Sequence, residues 1–291
     1  MFNNKKQKNW AITYWNKFKR NIGLITIEEQ EKLRKSHISV LGVGGLGGSI
    51  AEQLVRCGIE HITLCDNDTF DLSNFNRQIC TEQDLGKFKI DVIENLLIQI
   101  NPNVNIKKFY DITEDNISEI LGNVSIVCLT LDDPIISILI ARECNNKKIP
   151  MIESYGIPYL CAWWFTSKSI AYETFYNLNT NNLSLQELQR SNNFTSKFKK
   201  AVINTLSIFP FIKETYNRES GAFEGMMSGK LPLVSIAPVV HLMASFMTFE
   251  IIYSGILEIK PMILAPNCKG YDYIRMKPIE FSFIEKNFKK Y

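Results

Sequence analysis

At 291 residues, with 45% hydrophobic and 22% charged side chains, the chain can fill one large or two small globular domains with ample core. Its 33 lysines and arginines against 30 aspartates and glutamates leave a net charge of +3, too mild to argue for a nucleic-acid-binding surface. Lysine clusters at 5–8, 197–200 and 286–290 read as solvated surface and chain ends, and the seven scattered cysteines read as reduced thiols of a cytoplasmic protein. The opening NNKKQK leads into aromatic NWAITYW rather than an unbroken apolar stretch, so no leader is expected.

Trp10 to Leu33 reads as a helical arm interrupted once, with Trp15, Phe18 and Ile22 on one face and a capping-box entry at Thr26. An apolar strand ending in Ile38, Val40 and Leu41 follows. Gly42, Gly44 and Gly47 then stand as G-x-G-x-x-G, with Gly45 beside them. Ser49 to Cys57 carries Ile50, Leu54 and Cys57 on one helical face, and Gly58 sits at the C-cap. His61 to Cys65 is a second strand, and Asp66 ends it. This order is the mononucleotide-binding βαβ pattern: glycines for a tight turn, amides and a helix N-terminus facing phosphate, and an acid for the ribose.

The residues beyond Asp66 narrow the nucleotide. Asp68, Asn74, Asn76, Arg77, Gln78 and Lys89 place acids, amides, a guanidinium and an ammonium within one loop. ATP brings about four negative charges, which fixed cations or a metal must answer; a nicotinamide cofactor has no such general need. No Walker A sequence is present. Lys89 opens an amphipathic helix over Lys87 to Ile100, with Ile90, Ile93, Leu97 and Ile100 in register. A lysine is unfavourable beside a helix N-terminus unless an anion is bound there.

Strands are expected at Asn105–Phe109 and Ser125–Leu129, with a short helix at Asn116–Leu121 between them. Asp132 and Asp133 follow, ahead of a helix from Ile135 to Asn145. Asp133 precedes Pro134 and caps that helix; Asp132 faces a magnesium ion held between triphosphate oxygens. Further strands are expected at Ile149–Ser154 and Leu160–Thr166. Ala171 to Lys230 is looser, with helical pieces near Leu185 and Phe198–Leu206 and a glycine-rich, mobile stretch at Arg218–Lys230. The apolar run from Leu231 to Ile259 is broken by Pro232, Pro238, His241 and Glu250. It reads as a buried or subunit-interface helix near Ser235–Tyr253, not a membrane span. Met262–Leu264 and Tyr271–Met276 read as closing strands.

G-V-G-G-L-G-G, the D-N-D of Asp66 to Asp68, S-N-F-N-R-Q and the lysine of G-K-F-K together resemble the ThiF/MoeB/E1-like adenylyltransferases, from about Arg20 to Asp133. The resemblance implies a Rossmann-like, doubly wound α/β sheet, mostly parallel and mixed at the edge, and ATP-dependent adenylation of a carboxylate with release of pyrophosphate. It implies ATP and Mg²⁺ as cofactors and a homodimer in which Arg20 reaches the neighbouring subunit's phosphates. The implied acceptor is a small carrier protein or peptide, with a tRNA base as another option. The chain departs from the family in lacking an arginine a few residues after Asp132, where Ile138 and Leu139 stand. It has no C-x-x-C pair, so no zinc is expected, and no cysteine between Ala171 and Lys230 to act as an E1 nucleophile. Cys80 is the one thiol close to the motif residues, and the three histidines receive no role.

The division expected is an N-terminal helical arm (1–35), a nucleotide-binding core (36–168) and an acceptor-binding or dimerisation half (169–291) continuous with it. The expected catalytic residues are Arg77, Lys89, Asp132 and Arg20. Gly42, Gly44, Gly45, Gly47, Asp66, Asp68, Asn74 and Gln78 are expected to bind nucleotide. Two rivals remain at this point: an NAD-dependent oxidoreductase, which leaves Arg77, Lys89 and Asp132 without work, and a non-catalytic nucleotide-binding module.

Overall fold

A computed structural model describes residues 10–180, 182–191 and 193–283; the lysine clusters at 5–8 and 286–290 lie outside the described residues. The arm forms α1 (Ile12–Phe18), one 3₁₀ turn (Lys19–Asn21) and α2 (Ile27–Lys35). Thr26 and Glu29 make a reciprocal capping box at the start of α2. The chain then alternates through β1 (His37–Leu41), α3 (Gly45–Arg56), β2 (His61–Cys65), α4 (Lys89–Ile100), β3 (Asn105–Phe109), α5 (Ile117–Ile120), β4 (Ile126–Leu129), α6 (Pro134–Lys147) and β5 (Met151–Glu153). These strands, with β7 (Trp163–Phe165) after the short β6 (Tyr159–Leu160), make a six-stranded sheet of order β3-β2-β1-β4-β5-β7. Every pairing is parallel except the antiparallel β5–β7 edge. Ile38, Val40, Ile62, Leu64, Val127 and Ile152 are fully shielded, as strands covered by helices on both faces require.

The second half adds α7 (Tyr172–Phe175), α8 (Leu185–Arg190), α9 (Phe194–Leu206), α10 (Ile212–Tyr216), α11 (Ala222–Met227) and α12 (Ala237–Glu250), then β8 (Asn267–Asp272) and β9 (Lys277–Ser282). α12 runs on as a π-helical segment over Ile251–Ile256. This helix is long and apolar enough to cross a membrane, but more than half of it is buried inside the fold. Val240, Met243, Ala244, Met247 and Ile251 recur at helical spacing on its buried face, which packs along α3. β6 pairs with β8 in a second sheet, Tyr159 opposite Asp272 and Leu160 opposite Tyr271. One hydrophobic core therefore includes residues from both sides of position 168.

Four expectations change. Of Tyr271–Met276 only Tyr271 and Asp272 are strand, the end of β8: the Asp272 carboxylate accepts from the amides of Ile274 and Arg275 (3.1 and 3.0 Å), folding Tyr273–Met276 into the turn of the β8–β9 hairpin. Met262–Leu264 contributes only an isolated bridge, from Leu264 to Trp164. Arg218–Lys230 is not an open loop, because α11 occupies its centre. The cysteines are not all single thiols: Cys161 and Cys268 are paired, with Cα atoms 6.4 Å apart, where the β6–β8 pairing brings together positions 107 residues apart.

Asp133 caps α6 through bonds from the amides of Ile135 and Ile136 (2.8 and 3.0 Å), with Pro134 in the first turn. Asp133→Ala should lower stability by about 1 kcal/mol, read as a lower urea midpoint with an unchanged slope. An unchanged midpoint would mean that the cap contributes nothing.

Candidate active site

β1 and β4 are neighbours whose connections leave in opposite directions, toward β2 and β3 on one side and β5 on the other. Ligands of such sheets bind in the crevice beyond the strand ends at this point. The glycine loop leaves β1 there, and Thr130 to Asp133 leaves β4. The two segments touch: Thr130 Oγ1 donates to Gly42 O at 2.7 Å. Gly42 has φ +95°, and a Cβ on it would stand 2.5 Å from Thr130 O. A Cβ on Gly47 would stand 1.7 Å from Gly42 O, so the turn closes only without side chains. Gly44 is the N-cap of α3 and supplies no side-chain cap, leaving the first-turn amides open to an anion.

Asp66 is buried at the end of β2. Its Oδ2 accepts from Val43 N at 2.7 Å and its Oδ1 from Asp68 N at 2.9 Å. Burial raises its pKa, while these two amides and the Lys89 charge oppose the rise. Lys89, at the start of α4, is itself buried, and its ammonium bonds the exposed Asp68 carboxylate at 2.8 Å. Arg77 Nη1 donates to Ser73 O and Asn76 Oδ1 (2.9 and 2.7 Å), which leaves the rest of the guanidinium for a ligand.

A cleft of about 430 Å³ is lined by Gly42, Gly44, Gly45, Asp66, Asp68, Arg77, Gln78, Lys89, Asp132 and Asp133. Gln78 Oε1 is buried in that lining without a hydrogen-bond partner. Such a group costs free energy until a donor arrives, and a ligand hydroxyl or amine would supply one. Asp132 touches solvent at the cleft mouth yet is surrounded by protein. This burial raises its pKa; Lys89 counters the effect and Asp68 adds to it. Among the described residues no group of three or more His, Cys, Asp or Glu is arranged to hold a metal ion. One or two carboxylates such as Asp132 and Asp68 nevertheless suit Mg²⁺, which is held mainly by phosphate and water.

Not every expected residue lines the cleft. Gly47 shapes the loop from behind. Asn74 is buried in its own turn, accepting from Asp71 N and donating to Asp71 Oδ1 (both 3.3 Å), so its contacts are structural. Arg20 is exposed beside the C-terminal end of α3, where Tyr14 donates to Gly58 O and Asn21 to Cys57 O. The length of α3, 12 residues or about 18 Å, separates this arm from its own glycine loop. The Cys80 thiol is pushed up, chiefly by burial and then by Asp84, the opposite of activation toward thiolate.

Two parts of the site fall outside the residues named from sequence, although 169–291 was expected to hold the acceptor. The opposite wall of the cleft is apolar: Ile203 and Leu206 of α9, Ile212 of α10, Phe223, Met226 and Met227 of α11, then Leu233 and Val234. The spacing of Phe223, Met226 and Met227 (i, i+3, i+4) was the available signal. At the floor, Glu153 ends β5 and accepts from Tyr172 OH (2.9 Å) and Tyr176 OH (2.7 Å), and Tyr176 OH lies 2.6 Å from the OH of Tyr155, which lines the cleft. Burial pushes Glu153 up to about 7, with the Tyr176 and Tyr172 bonds restraining the rise.

A model of the ThiF family matches residues 18–290. Molybdopterin-synthase adenylyltransferase of Haemophilus influenzae is 33% identical over 135 residues, covering 46% of this chain and 56% of that protein. tRNA threonylcarbamoyladenosine dehydratase of Bacillus subtilis is 35% identical over 144 residues, covering 48% of this chain and 56% of that protein. The chain thus spans about half the length of these curated relatives. Among solved structures, the crystal structure of PaaA superposes with a TM-score of 0.66 at 20% identity, over 95% of this chain and 85% of PaaA, a likeness of fold.

The folded protein keeps the Glu153 proton up to pH about 7, whereas an ordinary glutamate loses it near 4.5. The folded state therefore holds the extra proton between these values, and stability falls as pH rises through that window. Over that interval, at 1.36 kcal/mol per pH unit, the loss is ~3 kcal/mol. Glu153→Gln should remove this decline, so that urea unfolding at pH 5 and pH 8 shows a smaller loss than in the wild type. Equal losses would show that Glu153 does not set the slope.

Proposed function

The chain belongs to the ThiF family, and on that footing we propose that it transfers the adenylyl group of ATP to a carboxylate, forming an acyl-adenylate and pyrophosphate. One observation carries the reading: Arg77, Lys89, Asp132 and the glycine loop, far apart in sequence, line a single cleft together with the unpartnered Gln78 oxygen. An oxygen of the acceptor carboxylate attacks the α-phosphorus, the bond from that phosphorus to the bridging oxygen breaks, and the electron pair leaves on pyrophosphate. The carboxylate is already ionised at neutral pH, so the work is to position two anions and stabilise the leaving one. Gly42, Gly44, Gly45 and the first-turn amides of α3 receive phosphate, and Gly47 keeps the turn tight enough for them to do so. Asp66 uses its remaining lone pairs for the ribose. Arg77 and Lys89, the latter exchanging Asp68 for a phosphate oxygen, stabilise charge. Asp132, with Asp68 near it, would hold Mg²⁺, which supplies charge neutralisation at the phosphates.

The apolar wall of α9 to α11 bears on the acceptor. Its apolar lining offers a surface for a peptide segment next to the reacting carboxylate. A peptide or small carrier protein is therefore favoured over a tRNA base. We also propose a homodimer in which Arg20 serves the partner's cleft. What supports it is the exposed Arg20, remote from its own glycine loop, and the exposed Leu242 and Phe249, two turns apart on α12. Arginine suits this task because its planar fork bonds two phosphate oxygens at once.

Calorimetric titration should show binding of MgATP and not of NAD, with Lys89→Met weakening MgATP about tenfold or more. A pool of peptides with free C-termini should stimulate exchange of labelled pyrophosphate into ATP, and Asp132→Ala should abolish the exchange. Binding of NAD alone would sink the adenylation reading.

For the dimer, sedimentation should give twice the chain mass, and Arg20→Ala should leave that mass unchanged while weakening MgATP. A monomer with undiminished affinity in Arg20→Ala would exclude a role for the arm.

A further inference from the structure

The cleft has a charge problem that its floor does not solve. Among the described residues Asp66, Asp68, Asp132 and Asp133 line it against two cations, Arg77 and Lys89, while the nearby Glu153 keeps its proton up to about pH 7; Lys89 is already paired with Asp68. A triphosphate adds about four negative charges, of which one divalent metal offsets half. Even with the partner's Arg20 proposed above, desolvating such a ligand beside these carboxylates favours a further cation within the chain.

α9 supplies a candidate from the opposite wall. Ile203 and Leu206 of this 13-residue helix line the cleft. Lys199 stands four and seven positions before them, on the same helical face. The helix buries a different face, through Phe194, Phe198 and Thr205. Lys199 is exposed and makes no hydrogen bond or ion pair with any described residue. Its charge nevertheless acts on Asp132, more strongly than that of Arg77 does. An unpaired ammonium within electrostatic reach of the carboxylate expected at the metal is placed to meet the outer phosphates.

We propose that Lys199 is a further phosphate-binding cation of this site, alongside Arg77 and Lys89, reaching from α9 to the β- and γ-phosphates of ATP and so joining the acceptor wall to the nucleotide floor. The inference rests on the adenylation reading, and its test separates the two. Calorimetry with MgATP and with AMP would be run on the wild type and on Lys199→Ala, Lys199→Arg and Lys197→Ala. Lys197 lies on another face of α9 and controls for the net charge of the helix. Lys199→Ala should weaken MgATP about tenfold and leave AMP within about twofold, since AMP lacks the outer phosphates. Lys199→Arg should restore most of the affinity, and Lys197→Ala should match the wild type. If the wild type binds no MgATP, the adenylation reading itself falls. If the wild type binds and Lys199→Ala binds equally well, the inference is overturned while that reading stands. Equal weakening of AMP and MgATP, or an equal loss in Lys197→Ala, would also overturn it.

Discussion

Asp66 accepts one hydrogen bond from the glycine loop, at Val43 N, and one from the next loop, at Asp68 N. The placing of the glycine turn against β2, and of Lys89, follows from these two bonds. Val43 lies between the two glycines that form the turn, so its amide bond ties the turn to the end of β2. Asp68 receives its place from the same carboxylate and hands it on to Lys89, both through the ammonium and through its carbonyl, which accepts from Lys89 N at 2.9 Å. A buried carboxylate is costly in itself, and here two backbone donors and a nearby ammonium offset the cost. The site is therefore built before any ligand arrives, which is the condition for strong electrostatic stabilisation.

Where the signal was local, the sequence was readable. The spacing of Ile38 to Leu41, the glycines and the helical stripe through Ile50 and Leu54 yields β1, the turn and α3, because each depends on neighbours within a few residues. The Asp133 cap of α6 was readable, since Pro134 marks the capping position, although Asp132 and Asp133 both line the cleft. Long-range pairings were not readable. Glu153 looks like the end of a strand until Tyr172 and Tyr176, one helical turn apart, fold over it. Cys161 and Cys268 meet only because β6 pairs with β8. Tyr273–Met276 failed for a subtler reason: tyrosine and isoleucine favour strands, but one aspartate side chain bonding two amides ahead of it overrides them.

The cleft lies between two kinds of wall. Its nucleotide side is hydrogen-bonded backbone, with carboxylates and cations held at strand ends. Its other side is helical and largely apolar, placed by packing and by bonds such as Arg275 Nη1 to Thr215 Oγ1 at 3.1 Å. The two meet where Val240 of α12 approaches Gly45, within 3.0 Å of where a Cβ would stand, and where Asn76 donates to Ser235 O at 2.8 Å. Rigid polar groups fix where a phosphate chain would sit, while methionines and aliphatic side chains can adapt to differing acceptors.

The packing of α12 along α3 also bears on how the chain acquires its fold during synthesis. Met243, Ala244, Met247 and Ile251 cover a helix that was translated some 200 residues earlier. Until they leave the ribosome, the outer face of α3 has no cover, although the sheet beneath it is complete through β5. At about 5–20 residues per second, that interval lasts on the order of ten seconds or more. Were the sheet to assemble as it emerges, the nascent chain would carry it with one apolar helix face open, the kind of surface that holding chaperones recognise.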